Sequence, residues 1–336
     1  MPPASSKNML PVIPIIIQDR LSALDMVKKQ LSKFENIHAI AKKNYGIRAL
    51  QIGDAFSRHW LARNQNPFLA EIDAVQKIAP HHGAYMLNLS YEWSCTSGAG
   101  PDPERPGNRM LRTLDWPMIG LGKNLVVIKR TGAAGPYWDI TWPGFVGVIT
   151  SMAPERFSGA INQPPMRKWS SFPRLDWILN KQKLWRQQTL PPSHLLRKTF
   201  DECQNFNEAK EMLTQTPIST PAFFTLSGVN PNECCIIERS ENSGYVYNGS
   251  NVCTNHWLSS ESQFWSRSLE SYERRTAMKD SLHNKGFDFS WLNSPILNET
   301  TRLSMVANAA QSMMLVQGWE PEGAATQPLY ISGLTP

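Results

Sequence analysis

The chain has 336 residues, 34 of them basic and 28 acidic, for a formal net charge of +6. That length suffices for one large domain or two smaller ones, and either buries a full core without a disulfide scaffold. The five cysteines (Cys95, Cys203, Cys234, Cys235, Cys253) are odd in number, lack a C-x-x-C pair and suit neither a disulfide framework nor a zinc site, and the mild basic excess is no argument for nucleic acid. No metal or cofactor is expected.

The apolar run Met9 to Ile17 is too short to span a bilayer and is broken by Pro11 and Pro14, so it reads as a buried strand, with a strand expected from Ile13 to Asp19. Without a basic start, a long apolar stretch and a small-residue cleavage site, it is not a secretory signal, and a cytoplasmic location is expected. Residues 19–66 place Leu21, Leu24, Val27, Leu31 and Phe34 at helical spacing among lysines, which predicts amphipathic helices, and Ala70 to Ile78 continues the pattern. His81 and His82 have no third metal ligand at a useful spacing and read as a solvated turn. Asn88-Leu89-Ser90, Asn248-Gly249-Ser250 and Asn298-Glu299-Thr300 are glycosylation sequons of the kind that arise by chance.

Beyond Cys95 the texture changes. Gly98 to Gly107 is rich in turn residues, and strands are expected over 124–129, 137–141, 144–150 and 157–162. Pro164 to Leu190 is irregular. It interleaves Arg167, Lys168, Arg174, Lys181, Lys183 and Arg186 with Trp169, Phe172, Trp177 and Trp185, which suits either an anionic membrane surface or an insertion whose aromatics pack on the body. Ser193 to Thr214 is a helical stretch after Pro191-Pro192, and 222–226, 234–239 and 244–248 resume strands.

Ser94-Cys95-Thr96-Ser97 is the stretch that suggests chemistry. If the bond before Cys95 is broken, one residue supplies a thiol nucleophile and, in its new α-amine of unperturbed pKa about 7.7–8.0, its own base. Arg112 and Asp115, three apart, are expected to form a charge pair that orients the amine and favours the thiolate. Asn162 and Asn255, each at a strand end, offer donors to an oxyanion or serve as turn residues. In Tyr272-Glu273-Arg274-Arg275 the arginines are either active-site charges or a helix surface.

In this order the residues resemble the acid ceramidase and N-acylethanolamine acid amidase group of N-terminal nucleophile hydrolases, with weaker similarity to bile salt hydrolases and penicillin-forming acyltransferases. The similarity runs from Ile13 through Leu87 to Glu92, Cys95-Thr96-Ser97, Arg112 to Asp115, Gly144 to Asn162, Thr216 to Gly228 and Thr254 to Trp257, to Arg274-Arg275. It implies an αββα sandwich with a helical propeptide-derived subunit over 1–94 and a catalytic subunit over 95–336; the basic, Trp-rich stretch at about 164–190 has no obvious counterpart in the group and reads as an insertion. It implies cleavage between Ser94 and Cys95, subunits that stay together as a heterodimer, and hydrolysis of a linear N-acyl amide through a thioester on Cys95. Arg112, Asp115, Asn162, Asn255 and Arg274 are the implied companions of the nucleophile. Where the group usually shows Asn-Glu, this chain has Asn162-Gln163. Rival readings are an acyltransferase on the same fold, a lipid or nucleic-acid binding protein with a relic site, and a papain-type Cys95–His256 pair.

Overall fold

The computed structural model describes residues 9–18, 21–90, 93–259, 264–268 and 270–333; Asp19, Tyr91 and Glu92, part of the motifs above, lie outside them. The fold is mixed α and β, with two large sheets.

The apolar opening supplies β1 (Ile15–Ile17). The predicted helical stretch then forms α1 (Ala23–Lys28), α2 (Leu31–Tyr45), α3 (Ile47–Arg63), α4 (Leu69–Gln76) and α5 (Ala84–Asn88). α1 begins at a capping box in which Ser22 Oγ accepts from the Asp25 amide and the Asp25 carboxylate accepts from the Ser22 amide. Between α2 and α3 stands Gly46 at φ 80°, a backbone geometry that side chains disfavour. The apolar stripes of these helices meet in a core of their own around Phe34, Trp60, Leu61 and Ile72, which takes in Val146 from the body.

Next come β2 (Ser94–Pro101), β3 (Asn108–Asp115), β4 (Val126–Gly132), β5 (Gly135–Thr141), β6 (Thr150–Ala153), β7 (Phe157–Asn162) and β8 (Met166–Arg167). The helices α6 (Pro173–Arg186), α7 (Pro192–Glu202) and α8 (Phe206–Gln215) lead to β9 (Ala222–Gly228), β10 (Cys234–Arg239), β11 (Gly244–Asn248), β12 (Asn251–Cys253) and β13 (Phe264–Trp265). The chain closes with α9 (Ser271–Ser281), β14 (Thr301–Asn308), β15 (Met313–Glu320), β16 (Gly323–Ala324) and β17 (Leu329–Ser332).

The larger sheet runs β1-β4-β5-β6-β7-β9-β10-β11, and the smaller runs β12-β2-β3-β14-β15-β16 with β17 also on β15. The N-terminal segment is tied to the body through β1, which pairs parallel with β4. β2 and β3 face β7 and β9, and the interior between the sheets holds Cys95, Met110, Leu114 and Met305 from one and Val127, Ile140, Met152 and Ala160 from the other. On the other side of the larger sheet, α7 and α8 bury Leu195, Phe200 and Leu213 against Phe157, Phe224 and Ile237. On the other side of the smaller sheet, Met278 of α9 and Leu282 at its C-terminal cap are buried against Leu111, Val252 and Val306.

Four stretches differ from the sequence reading. Residues 144–149 are not strand, because Gly144 turns at φ 88° and the Val146 and Val148 amides are taken by Asn88 Oδ1 and the Ser193 carbonyl. Ser193 to Thr214 is two helices, since Asn205 accepts from the Glu208 amide and caps a second start. The turn-rich 98–107 stretch is strand over its first four residues, the end of β2, and only 102–107 is the connection, with β2 and β3 paired in register from Ser94↔Asp115 to Pro101↔Asn108. The insertion holds α6, started by Pro173 in its first turn, whose one buried residue is Asp176.

Candidate active site

Because side chains alternate across a strand, the register of β2 with β3 decides what surrounds Cys95. Ser97 lies opposite Arg112, Cys95 opposite Leu114 and Ser94 opposite Asp115. Cys95, Ser97 and Arg112 therefore face the larger sheet, while Thr96 and Asp115 face α9.

On the inner side, the Cys95 thiol sits 3.6 Å from the Ile161 carbonyl. Arg112 donates to that same carbonyl at 2.7 Å and to Asn162 Oδ1 at 2.5 Å. Ser97 Oγ also donates to Asn162 Oδ1, and the Asn162 amide nitrogen donates to the Cys253 and Thr254 carbonyls. Asn162 thus joins β7 to the end of β12. Its donors are taken by backbone, so it positions Arg112 rather than pointing at an oxyanion.

On the outer side, Arg274 of α9 donates to the Cys95 carbonyl at 2.8 Å, to Thr96 Oγ1 at 2.7 Å and to Asp115 at 3.3 Å. Thr301 donates to the other Asp115 oxygen at 2.9 Å. The expected Arg112–Asp115 pair is not formed: an i, i+3 spacing on a strand sends the two side chains to opposite faces, and Asp115 pairs with Arg274 instead. Of the two arginines in Tyr272-Glu273-Arg274-Arg275, Arg274 is the buried site charge, and Arg275 reaches back to Val252 and Asn251.

Asn255 links the two sides. Its Oδ1 accepts from the Cys95 amide at 3.0 Å, from Arg274 at 2.9 Å and from Ser268 at 3.3 Å, and its amide nitrogen donates to the Gln163 carbonyl at 2.8 Å. Ser268 in turn accepts from Arg274 at 2.6 Å. His256 bonds Thr254 and Ser271 and stacks on Tyr272, and burial with the nearby Arg275 and Arg274 holds it down at about 4. It is engaged away from the thiol.

Burial pushes the Cys95 thiol up to about 11; Arg112 and Arg274 oppose this and Asp115 adds to it. Burial likewise raises the Asp115 carboxyl, against the pull of Arg274 and Thr301. In the continuous chain the thiol is therefore protonated at neutral pH and needs an acceptor for its proton. All five cysteines are free and buried, and no cluster of three or more His, Cys, Asp or Glu side chains suited to a metal occurs among the described residues.

Ser268 and Thr301 were not singled out from the sequence. Each is a lone hydroxyl with no spacing signal of its own, brought to the site by topology.

Beside this cluster opens a cavity of about 370 Å³, whose wall begins at Gln163, directly after Asn162, and includes Trp257, two residues past Asn255. Gln163 is buried and its Oε1 has no hydrogen-bond partner.

No protein-family model matches the chain. Over 207 residues it is 27% identical to the N-acylethanolamine-hydrolyzing acid amidase of Oryctolagus cuniculus, across 60% of this chain and 55% of that protein. Over 172 residues it is 26% identical to the acid ceramidase of Homo sapiens, across 48% of this chain and 42% of that one. The chain is a homologue of acid ceramidase and N-acylethanolamine-hydrolyzing acid amidase. It spans about half the length of these curated relatives. The fold is also that of a solved relative: the Caenorhabditis elegans N-acylethanolamine-hydrolyzing acid amidase ortholog aligns with a TM-score of 0.50 and 20% identity, over 64% of this chain and 93% of that one. No helix among the described residues is long and apolar enough to cross a membrane.

Proposed function

We propose that the chain is a cysteine amidase of the N-terminal nucleophile type, which cuts itself before Cys95 and then hydrolyses a linear N-acyl amide. The observation that carries this reading is that the thiol, amide and carbonyl of one residue are each held by a different partner: the thiol against Ile161 and Arg112, the amide by Asn255, and the carbonyl by Arg274. A structural cysteine needs no such arrangement. A residue whose own peptide bond is to be exchanged does.

In the self-cleavage, Cys95 Sγ attacks the Ser94 carbonyl carbon. The Ser94–Cys95 C–N bond breaks, the thiol proton passes to the departing amine, and water opens the resulting thioester to a Ser94 carboxylate and a free thiol. Asn255 Oδ1, already on the amide nitrogen, accepts from the amine as it gains protons. In turnover the α-amine takes the thiol proton and passes it to the substrate amine that the thiolate displaces, and water, with the α-amine again as base, hydrolyses the acyl thioester to the acid and the free thiol. Arg112 supports the thiolate, Asn162 fixes Arg112, and Asp115 with Arg274 holds the backbone of the nucleophile. Residues 1–94 and 95–336 would then be two subunits of an αββα sandwich, kept together as a heterodimer by the β1–β4 pairing and the helical core.

The insertion supplies a surface for lipid. Trp169, Phe172, Leu175, Trp177 and Ile178 are exposed large apolar side chains within ten residues, flanked by Lys168, Arg174 and Lys181. Apolar groups set among cations suit an anionic membrane, where an acyl amide would be met.

The deciding experiment is an intact-mass spectrum. Fragments 1–94 and 95–336 from the native sequence, and a single inactive chain from Cys95→Ala, are expected. An active native protein that remains one uncut chain would overturn the reading.

A further inference from the structure

On the wall of the cavity beside the nucleophile, two buried polar side-chain atoms have no hydrogen-bond partner among the described residues, and they are opposite in kind. Gln163 Oε1 is an acceptor and Trp257 Nε1 is a donor. Gln163 itself is only 8% exposed. A buried polar atom left bare is costly, and a ligand that completes it recovers that cost. The pair therefore suits a ligand that brings both an N–H and an oxygen. A secondary amide does. An ester brings oxygens only, and a tertiary amide has lost its N–H, so at the reacting group each leaves Gln163 bare.

Both bare atoms belong to segments that hold Cys95. The Gln163 main-chain carbonyl accepts from Asn255 at 2.8 Å, and Asn255 accepts at 3.0 Å from the Cys95 amide, the nitrogen that becomes the α-amine after the cut. Gln163 also follows by two residues Ile161, whose carbonyl lies 3.6 Å from the Cys95 thiol. Trp257 stands two residues past Asn255, its ring held edge-on by Phe223 and stacked on Phe264. Gln163 has no proton to give up or take in the working pH range, so what its side chain offers a substrate is hydrogen bonding.

We infer that Gln163 Oε1 accepts the scissile N–H of the substrate and makes the site selective for secondary amides over esters and tertiary amides, while Trp257 Nε1 donates to a substrate oxygen. This rests on the amidase reading above and narrows its substrate class. As the thioester forms, the C–N bond breaks and the α-ammonium gives its proton to the leaving nitrogen, which departs as a primary amine. That nitrogen becomes a stronger donor as it takes up the proton, so its bond to Gln163 tightens toward the transition state and favours turnover rather than binding alone.

The test uses three substrates with one acyl chain and one hydroxyl: N-lauroylethanolamine, N-lauroyl-N-methylethanolamine and 2-hydroxyethyl laurate. Native protein, Gln163→Met, Gln163→Glu and Trp257→Phe are compared, each first checked by intact mass for the cut. Methionine removes the acceptor at similar volume, and because no described protein group bonds Oε1, Gln163→Met should not lower Tm. In Gln163→Met, kcat/KM for the ethanolamide is expected to fall about 10- to 100-fold, with the ester and the N-methyl amide changed by less than about threefold. Gln163→Glu restores an acceptor and should keep the ethanolamide within about fivefold of native, whereas Trp257→Phe should lower all three substrates by a similar factor, since all carry the oxygen. Equal losses for the three substrates in Gln163→Met, or undiminished ethanolamide turnover, would overturn this inference and leave the amidase reading standing. If native protein cuts none of the three, the amidase reading fails, and calorimetry on Cys95→Ala decides the contact. A tighter Kd for the ethanolamide than for the ester, lost when Gln163→Met is added, supports it; equal Kd values overturn it.

Discussion

Arg112 and Asp115 share one strand and project to opposite faces of it, so that Arg112 reaches the carbonyl beside the Cys95 thiol while Asp115 anchors the arginine that holds the Cys95 carbonyl. They hold the same residue, Cys95, from two sides. The two positions therefore respond differently to substitution.

Arg112 makes its contacts as a fork, one nitrogen on Ile161 and another on Asn162, with Nε toward Thr150 at 3.4 Å. Lysine carries the charge but not the fork. Arg112→Lys is expected to fold and to lose about 100-fold in kcat, the scale of a lost electrostatic contact at the reacting centre. Circular dichroism and steady-state kinetics check this together, and near-native kcat would remove Arg112 from the site.

Asp115 is buried against Arg274, and both side chains are at most 2% exposed. Asp115→Asn keeps the shape but leaves a buried guanidinium without its counter-charge, a change that costs about 3–5 kcal/mol in buried pairs. A marked drop in the urea midpoint is expected, along with slower self-cleavage because Arg274 loses its anchor. Native stability would show that Thr96 and Ser268 suffice to hold Arg274.

The residue types that meet around Cys95 could be read from the sequence because they are chemically unusual where they stand: a cysteine before two small hydroxyl residues, an arginine downstream, asparagines at strand ends. Their geometry could not. The Arg112–Asp115 pairing fails once that stretch is known to be strand, and nothing in the spacing says that Ser268 and Thr301 come from distant segments to complete the hydrogen bonds. Most strands were legible from β-branched and aromatic runs, whereas 144–149 looked apolar enough for strand and is held irregular by Asn88 and Ser193, both remote in sequence. The break between α7 and α8 did have a local signal, Asn205 three residues before Glu208, masked by apolar spacing that continues through it. α6 lacks a clear apolar stripe, so periodicity could not find it; Pro173 alone marked its start.

Asp176 fastens the insertion. Its carboxylate accepts from the Trp169 and Ser170 amides and from Trp265 Nε1 at 2.8–3.1 Å, tying α6 and the segment after β8 to β13. Burial works against its charge, yet these three donors outweigh it and hold the carboxyl down at about 2. A depressed carboxyl stabilises above its unfolded pKa and loses that effect only as pH falls through the folded value, so the fastening should persist from neutral pH to about 4 and weaken below that, toward pH 2. Asp176→Ala is expected to admit trypsin at Lys181 and Lys183 while the native insertion resists, and to reduce turnover, because Ser268 lies three residues beyond Trp265. Equal proteolysis of both proteins would show that the insertion is held elsewhere.

The exposed aromatics and cations of the insertion predict salt-sensitive binding to anionic vesicles. Each Lys or Arg near such a surface contributes about 1 kcal/mol, and Phe172 and Trp169 add apolar insertion. Phe172→Ser and Lys168→Gln should each lower co-sedimentation with phosphatidylserine vesicles without loss of fold, since Phe172 is exposed and Lys168 is half-buried over the Trp265 ring, and such changes usually cost little stability. Binding that survives high salt and both substitutions would sink the idea.

The pH dependence of self-cleavage follows from the thiol. Burial is the largest cause of its elevation to about 11, with Asp115 adding and the two arginines opposing, so at pH 7 only on the order of one thiol in 10⁴ is ionised. If thiolate attacks Ser94, the cleavage rate should rise about tenfold per pH unit across the neutral range. Gln163 does not titrate, so no carboxylate at that position imposes an acid optimum. Turnover by the cut protein obeys a different group: the freed α-amine must be neutral to accept the thiol proton, which places its rise near the unperturbed 7.7–8.0. Cell-free translation followed by intact-mass sampling at pH 5 to 10 measures the first profile, and kcat/KM of pre-cleaved protein over the same range measures the second. Two displaced profiles are expected, cleavage climbing beyond the point where turnover levels off. Cleavage fastest at pH 5 would show that proton donation to the departing amine, not ionisation of Cys95, limits the step.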